Sequence, residues 1–352
     1  MPRLRKTLPR DFDELLLSAS LQELEAVLER CELGARGDHP KRTALATAEC
    51  RDDLAAWLVA RGEDVNAADI YGNTGLHARA VRYGLPLGGL LDLGADIEAR
   101  NTAGNTPLLT ACAAQKPQHV AELLAHHADA GAVENKGRNA LDITLDSASN
   151  ASLEEALQIS RLLLAAGLEV SPAQRIHVAQ LGEKFEFYRA DFAQDSVQAV
   201  ASALDGLYAL FSVDPVPQLH RHDGVSDIEV PEGAWPQAHD ALWAALVPGS
   251  GHAPTVQGEL IRISGRLGNE LLGNGGVNWD RDFKRMVAAF LRHVESGNSL
   301  SSDDLEDVAS AAAELHPGIA DKEPLQYLCR SAVEWVRLNP TPIPLPEPAY
   351  RR

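Results

Sequence analysis

The sequence predicts an all-α protein: a solenoid of helix pairs joined by short turns, followed by a mainly helical C-terminal domain. A unit of about 32 residues recurs four times between Pro40 and Ser171, and a fixed period of this size marks a stacked repeat. Its phase is set by Thr43-Ala-Leu45, Thr74-Gly-Leu76, Thr106-Pro-Leu108 and Asn139-Ala-Leu141, at spacings of 31, 32 and 33 residues. Beyond Ser171 the period ends, yet apolar residues keep helical spacing. Four of the five tryptophans (Trp235, Trp243, Trp279, Trp335) lie there, so a second core follows.

In chain order, residues 1–39 read as capping helices. Leu15, Leu16, Leu21, Leu24, Val27 and Leu28 have helical spacing but no turn signature, as expected of a unit that shields one end of a stack. Residues 40–171 hold the four repeats. Thr74 and Thr106 stand where a side chain can accept a helix N–H, and Pro107 suits the first helical turn. Gly62, Gly94 and Gly167 can end second helices in a left-handed conformation, and Gly72, Gly104 and Gly137 suit tight turns. Leu54, Leu58, Leu90, Leu91, Leu123, Leu124, Leu162 and Leu163 are the expected shared core. The last copy carries an insertion ending in Ser152-Leu-Glu-Glu155, which has the form of a capping box.

The segment resembles the ankyrin repeat. Asp69-x-x-Gly72-Asn73-Thr74-Gly75-Leu76-His77 tracks the opening Asp-x-x-Gly-x-Thr-Pro-Leu-His, and Leu90-Leu91-x-x-Gly94-Ala95-Asp96-Ile97 tracks the closing Leu-Leu-x-x-Gly-Ala-Asp-Val. Gly75 and Ala140 replace the proline, and Arg79 stands where a small core residue is usual. The resemblance covers roughly residues 11–171 and implies turns that project from the stack to bind a protein partner. The tip residues are Ile70, Tyr71, Asn73, Arg100, Thr102, Asn105, Glu134, Lys136 and Arg138, with Tyr71 the preferred anchor because an exposed aromatic offers large contact area at low entropic cost.

Residues 172–230 read as a helical cap and linker. Ser171-Pro172-Ala-Gln174 is a helix start, the aromatic run Phe185, Phe187, Tyr188 and Phe192 suits packing, and proline and glycine between Asp214 and Pro236 break regular structure. Residues 231–338 form the expected helical domain. Within it a helix over 255–272 places Glu259, Arg262, Arg266 and Glu270 on one face and Leu260, Ile263, Leu267 and Leu271 on another. Gln257-Gly-Glu-Leu-Ile-Arg262 with Asn274-Gly-Gly and Asn278-Trp279 resembles a helical domain of uncharacterised bacterial proteins, to which no activity is attached. Residues 339–352 are a proline-rich tail whose period of two favours extended backbone.

Charge bears on the partner. The formal net charge of −18 is spread along the chain, −8 over residues 1–170 and −10 over the rest. Such a balance repels phosphate backbones and anionic membranes and favours a basic protein partner. There is no apolar run of about 18 residues and no apolar segment behind the early arginines, so a cytoplasmic protein without a membrane span is expected. The cysteines at 31, 50, 112 and 329 are isolated and lack zinc spacing, as expected of reduced thiols.

Chemical constellations are few. His220-x-His222-Asp223 lacks a third ligand, His126-His127 suits a solvated helix end, and Gly273-Asn-Gly-Gly276 lacks the lysine of a phosphate loop, so neither metal nor cofactor is expected. Glu259 and Glu270 stand about 16 Å apart along a helix and alternate with arginines, the pattern of a salt-bridge row. The expected function is non-enzymatic protein binding. Among acidic bacterial members of the resembled class, an immunity or antitoxin-like inhibitor is one implied case. The competing readings are an enzyme sited at Glu259, Arg262, Arg266 and Asn278, which are otherwise a secondary binding surface, and a general scaffold.

Overall fold

The computed structural model describes residues 3–82, 84–189, 192 and 194–351. The chain is mostly helical and divides into two compact units, residues 1–183 with 194–215, and residues 184–193 with 216–352.

The first unit departs at its start from the expected run of capping helices over residues 1–39. Strand β1 (Arg5–Thr7) pairs in parallel with β2 (Cys31–Arg36), and helices α1 (Phe12–Ser18) and α2 (Leu21–Leu28) lie between them in sequence. Cys31 and Ala35 are buried, and backbone groups beside them need partners that a helix end cannot supply. The strand pairing supplies them, flanked by bonds from Arg5 N–H to Arg30 C=O and from Leu8 N–H to Arg36 C=O.

Helix pairs follow with the expected period: α3 (Asp52–Ala60), α4 (Gly75–Ala80), α5 (Gly88–Asp92), α6 (Pro107–Ala113), α7 (Pro117–Ala125), α8 (Ala140–Asp146) and α9 (Leu153–Ala165). The first copy has only its second helix; residues 44–49 form turns and bends. Thr43 Oγ1 accepts from Ala46 N–H and Thr47 Oγ1 donates to Thr43 C=O, local bonds of the kind that compete with a helix. Arg79 answers the consequence. Its guanidinium is buried and donates to the carbonyls of Cys50 and Pro86 and to Asp52 Oδ1 at 2.6 Å. Gly62, Gly94 and Gly167 do end second helices at positive φ, while His127 takes that conformation in the third copy. Of each Leu–Leu pair one member is buried (Leu90, Leu123, Leu163) and its neighbour only partly so. Ser152 makes no cap bond to its helix; its hydroxyl accepts from Ser149 N–H in the inserted loop instead.

Helix α10 (Pro172–Tyr188) opens on reciprocal bonds between Ser171 and Gln174, as the sequence predicts. Helix α11 (Gln194–Phe211) packs on α9, where Gly206 leaves no room for a Cβ beside Leu157.

In the second unit, residues 216–234 are irregular and lead into α12 (Trp235–Leu246), α13 (Val256–Gly268), α14 (Arg281–Val294), α15 (Ser302–Ala313) and α16 (Glu323–Leu338). Helix α13 is the hub, packed against α12, α14 and α16 with Leu260, Ile261, Ile263 and Leu267 fully buried. It ends in a π-helical turn, Asn269–Gly273. The tail lies along this unit. Val256 N–H donates to Ile343 C=O and Leu345 N–H to Pro254 C=O, while Gln257 bonds the backbone of Asn339, Thr341 and Ile343.

Candidate functional site

The projecting turns are built alike. Asp69, Asn101 and Glu134 each donate a backbone N–H to the carbonyl four residues on, at Asn73, Asn105 and Arg138. Their side chains close the same turns: Asp69 Oδ1 accepts from Tyr71 and Asn73 N–H, Asn101 Oδ1 from Ala103 and Asn105 N–H, and Glu134 Oε1 from Arg138. Each turn then bonds the one before it. Ile70 N–H donates to Pro40 C=O (3.1 Å), Thr102 N–H to Tyr71 C=O (2.9 Å) and Asn135 N–H to Ala103 C=O (3.1 Å). Gly72 is required here. It sits at φ +78, and a Cβ would stand 2.9 Å from Thr102 N.

Side chains add cross-links along the same edge. His77 Nδ1 accepts from Thr74 N–H and its Nε2 lies 2.9 Å from Asn105 C=O, so the ring is a neutral tautomer bridging two repeats. Burial holds its pKa below the usual imidazole range. Arg100 Nη1 donates to Val133 C=O at 2.7 Å, and Asn135 Nδ2 to Thr102 C=O at 2.9 Å.

The expected tip residues therefore share one continuous edge but differ in exposure. Ile70 and Tyr71 are 52% and 48% exposed, and Arg100, Thr102 and Lys136 also face solvent. Asn73, Asn105 and Arg138 are half-buried. Glu134 is corrected: it is buried, because its carboxylate holds its own turn together. Tyr71 also has a neighbour, since its hydroxyl lies 3.0 Å from His39 Nε2 and the rings meet edge-on. His39, Lys41 and Val133 join the exposed edge; the first two are unsignalled by the repeat pattern because Lys41 stands where the later turns carry Gly72, Gly104 and Gly137.

The second expected surface is corrected at two of its four residues, since Arg266 is half-buried and Asn278 is exposed. Glu259 and Arg262 are fully buried, paired through Arg262 Nε and Nη2 at 2.8 and 2.7 Å. Ala253 N–H and the Tyr350 hydroxyl complete the carboxylate's bonds at 2.9 and 2.7 Å. A carboxylate so enclosed meets neither partner nor substrate. Glu270 is likewise buried, accepting from Asn278 N–H and from the Asn274 and Asn278 amides, so Asn278 is exposed but serves the turn. A carboxylate at the centre of the glycine loop also disfavours an anion there.

A cleft of about 930 Å³ opens beside this row, with Phe187, Trp243 and Phe283 as aromatic walls and His239, Ser264 and Arg266 among its polar lining. The Phe187 and Trp243 rings are nearly parallel, 14° apart with centroids at 6.4 Å. His239 Nε2 lies 2.9 Å from Ser264 Oγ, but Ser264 is buried and donates to Ile261 C=O, so its hydroxyl is committed to the helix. Burial holds His239 below the usual imidazole range and pushes the Cys329 thiol up to about 11, which leaves a thiol rather than a nucleophilic thiolate at neutral pH.

Elsewhere, His222 and Asp223 are turn-formers. His222 Nδ1 accepts from Gly224 N–H, and bonds from Val225 and Ser226 hold the Asp223 carboxyl down at about 2. Among the described residues no three His, Cys, Asp or Glu side chains form a metal-binding group, and no helix is long and apolar enough to cross a membrane. No family model matches the chain.

Proposed function

We propose that residues 40–171 are an ankyrin-type stack and that the protein is a binding module which engages a protein partner along the edge of its projecting turns. The observation that carries this reading is the turn-to-turn hydrogen bonding from Pro40 to Asn135, which presents a rigid, solvent-facing edge with Ile70 and Tyr71 exposed on it. Rigidity matters because a surface already ordered loses little entropy on binding. The alternative of an enzyme at Glu259, Arg262, Arg266 and Asn278 lacks an accessible acid or base, since the Glu259 carboxylate is fully engaged. Toxin inhibition and general scaffolding are two versions of the binding reading, distinguished by whether the partner loses activity when bound.

The test is affinity for a co-purifying partner measured with wild type and with a Tyr71→Ala, Arg100→Ala variant whose fold is checked by circular dichroism. Binding weakened at least tenfold, the loss of about 1.4 kcal/mol typical of anchor truncation, is expected. Unchanged affinity in the folded variant refutes the assignment of this edge.

A further inference from the structure

We infer that the segment this edge binds is acidic and carries an apolar side chain to set against Ile70 and Tyr71. The inference rests on the protein-binding reading above and concerns the chemistry of the partner. It reverses what the net charge of −18 suggests. The acids nearest the turn tips face inward: the side chain of Asp69 is 0% exposed and that of Glu134 is 4% exposed, each consumed by its own turn. The cations face out. Lys41, Arg100 and Lys136 are exposed on three different turns; Asp38 is the exposed acid among these tips, and the exposed Asp64, Asp96 and Asp129 stand further back on the same loops, each five residues before Asp69, Asn101 or Glu134. Among the described residues neither Lys41 nor Lys136 has an ionic or hydrogen-bonding partner for its ammonium group.

An edge of this sign in a chain of the opposite sign selects as well as attracts. A local acidic segment gains complementary contacts, while an extended polyanion is repelled by the surrounding surface. Nucleic acid is such a polyanion, with a charge about every 1.7 Å of duplex, so a peptide with a few carboxylates fits better. Ile70 and Val133, 52% and 42% exposed, give such a peptide an apolar footing that a phosphate backbone cannot use.

A random-peptide display library panned on the intact protein tests this, with a Lys41→Glu, Lys136→Glu variant and a Tyr71→Ala variant as comparators. Enriched peptides should be net acidic with an aromatic or aliphatic residue, and a synthetic copy should bind the charge-reversed variant about tenfold or more weakly, with an association rate that falls as salt rises. Peptides that are neutral or basic, or acidic ones indifferent to the charge reversal, overturn the inference; if they still lose affinity on Tyr71→Ala, the edge itself stands. Peptides insensitive to both variants, or none at all, overturn the edge reading too. A single-stranded oligonucleotide that binds wild type and is released by the charge reversal overturns the peptide in favour of nucleic acid.

Discussion

Leu123 and Leu124 are neighbours on α7, yet only Leu123 is fully buried. Truncating a buried leucine removes apolar contacts and leaves a cavity, so Leu123→Ala is predicted to destabilise the repeats by about 2–5 kcal/mol and Leu124→Ala by clearly less. Chemical denaturation of the two variants decides this, and equal losses would contradict the packing. Glu259 is the corresponding residue of the second unit. Its carboxylate pairs with the buried Arg262, so Glu259→Gln removes an ionic partner from a buried charge and is predicted to cost about 3–5 kcal/mol. A tryptophan-fluorescence melt reads the loss. An unchanged midpoint would mean that the pair contributes nothing.

At the scale of elements, α4 begins at Gly75, where the resembled repeat has proline. The turns that replace the missing first helix bring Leu45 C=O so close that a Cβ on Gly75 would stand 2.5 Å from it. Gly75→Pro, nominally a step towards the resembled repeat, is therefore predicted to destabilise by about 1–3 kcal/mol, the usual range for overpacking. A gain in melting temperature would show that the two segments separate readily. The tail is a second element whose worth can be measured. Removing residues 340–352 breaks the Tyr350 bond to Glu259 and the backbone bonds at Ile343 and Leu345. The variant is predicted to lower the unfolding midpoint reported by Trp243, Trp279 and Trp335. No shift would identify the tail as an appendage.

Across the whole molecule, burial sets the response to acid. His77 in the first unit and His239 and His293 in the second all titrate below the ordinary 6.5, because burial disfavours the imidazolium. The unfolded chain takes up these protons near pH 6.5 and the folded chain only lower, so the stabilisation is present above 6.5 and lost as pH falls through the folded values. Glu63, raised by burial, acts in the opposite sense: its contribution is full below 4.5 and lost as pH rises through its folded value. Three histidines against one carboxyl predict a net fall in stability between pH 6.5 and 5, measured by denaturant titration at each pH. A flat profile would show that these rings stay hydrated.

The sequence by itself determined the period, the helix starts at Thr106 and Ser171, and the turns at Gly72 and Gly104, because caps and left-handed glycines act within a few residues of one another. It also put Ile70, Tyr71, Arg100, Thr102 and Lys136 on one edge, since a repeat places equivalent residues alike. Only the tertiary structure decided which charges face water. Helical spacing assigns Glu259 and Arg262 to one face of α13 but cannot say that Tyr350, 91 residues from Glu259, covers it. Net charge likewise cannot say that Asp69 and Glu134 turn inward while Lys41 and Lys136 turn out. Solvation depends on what packs over a group, and that is set by contacts between residues far apart in the chain.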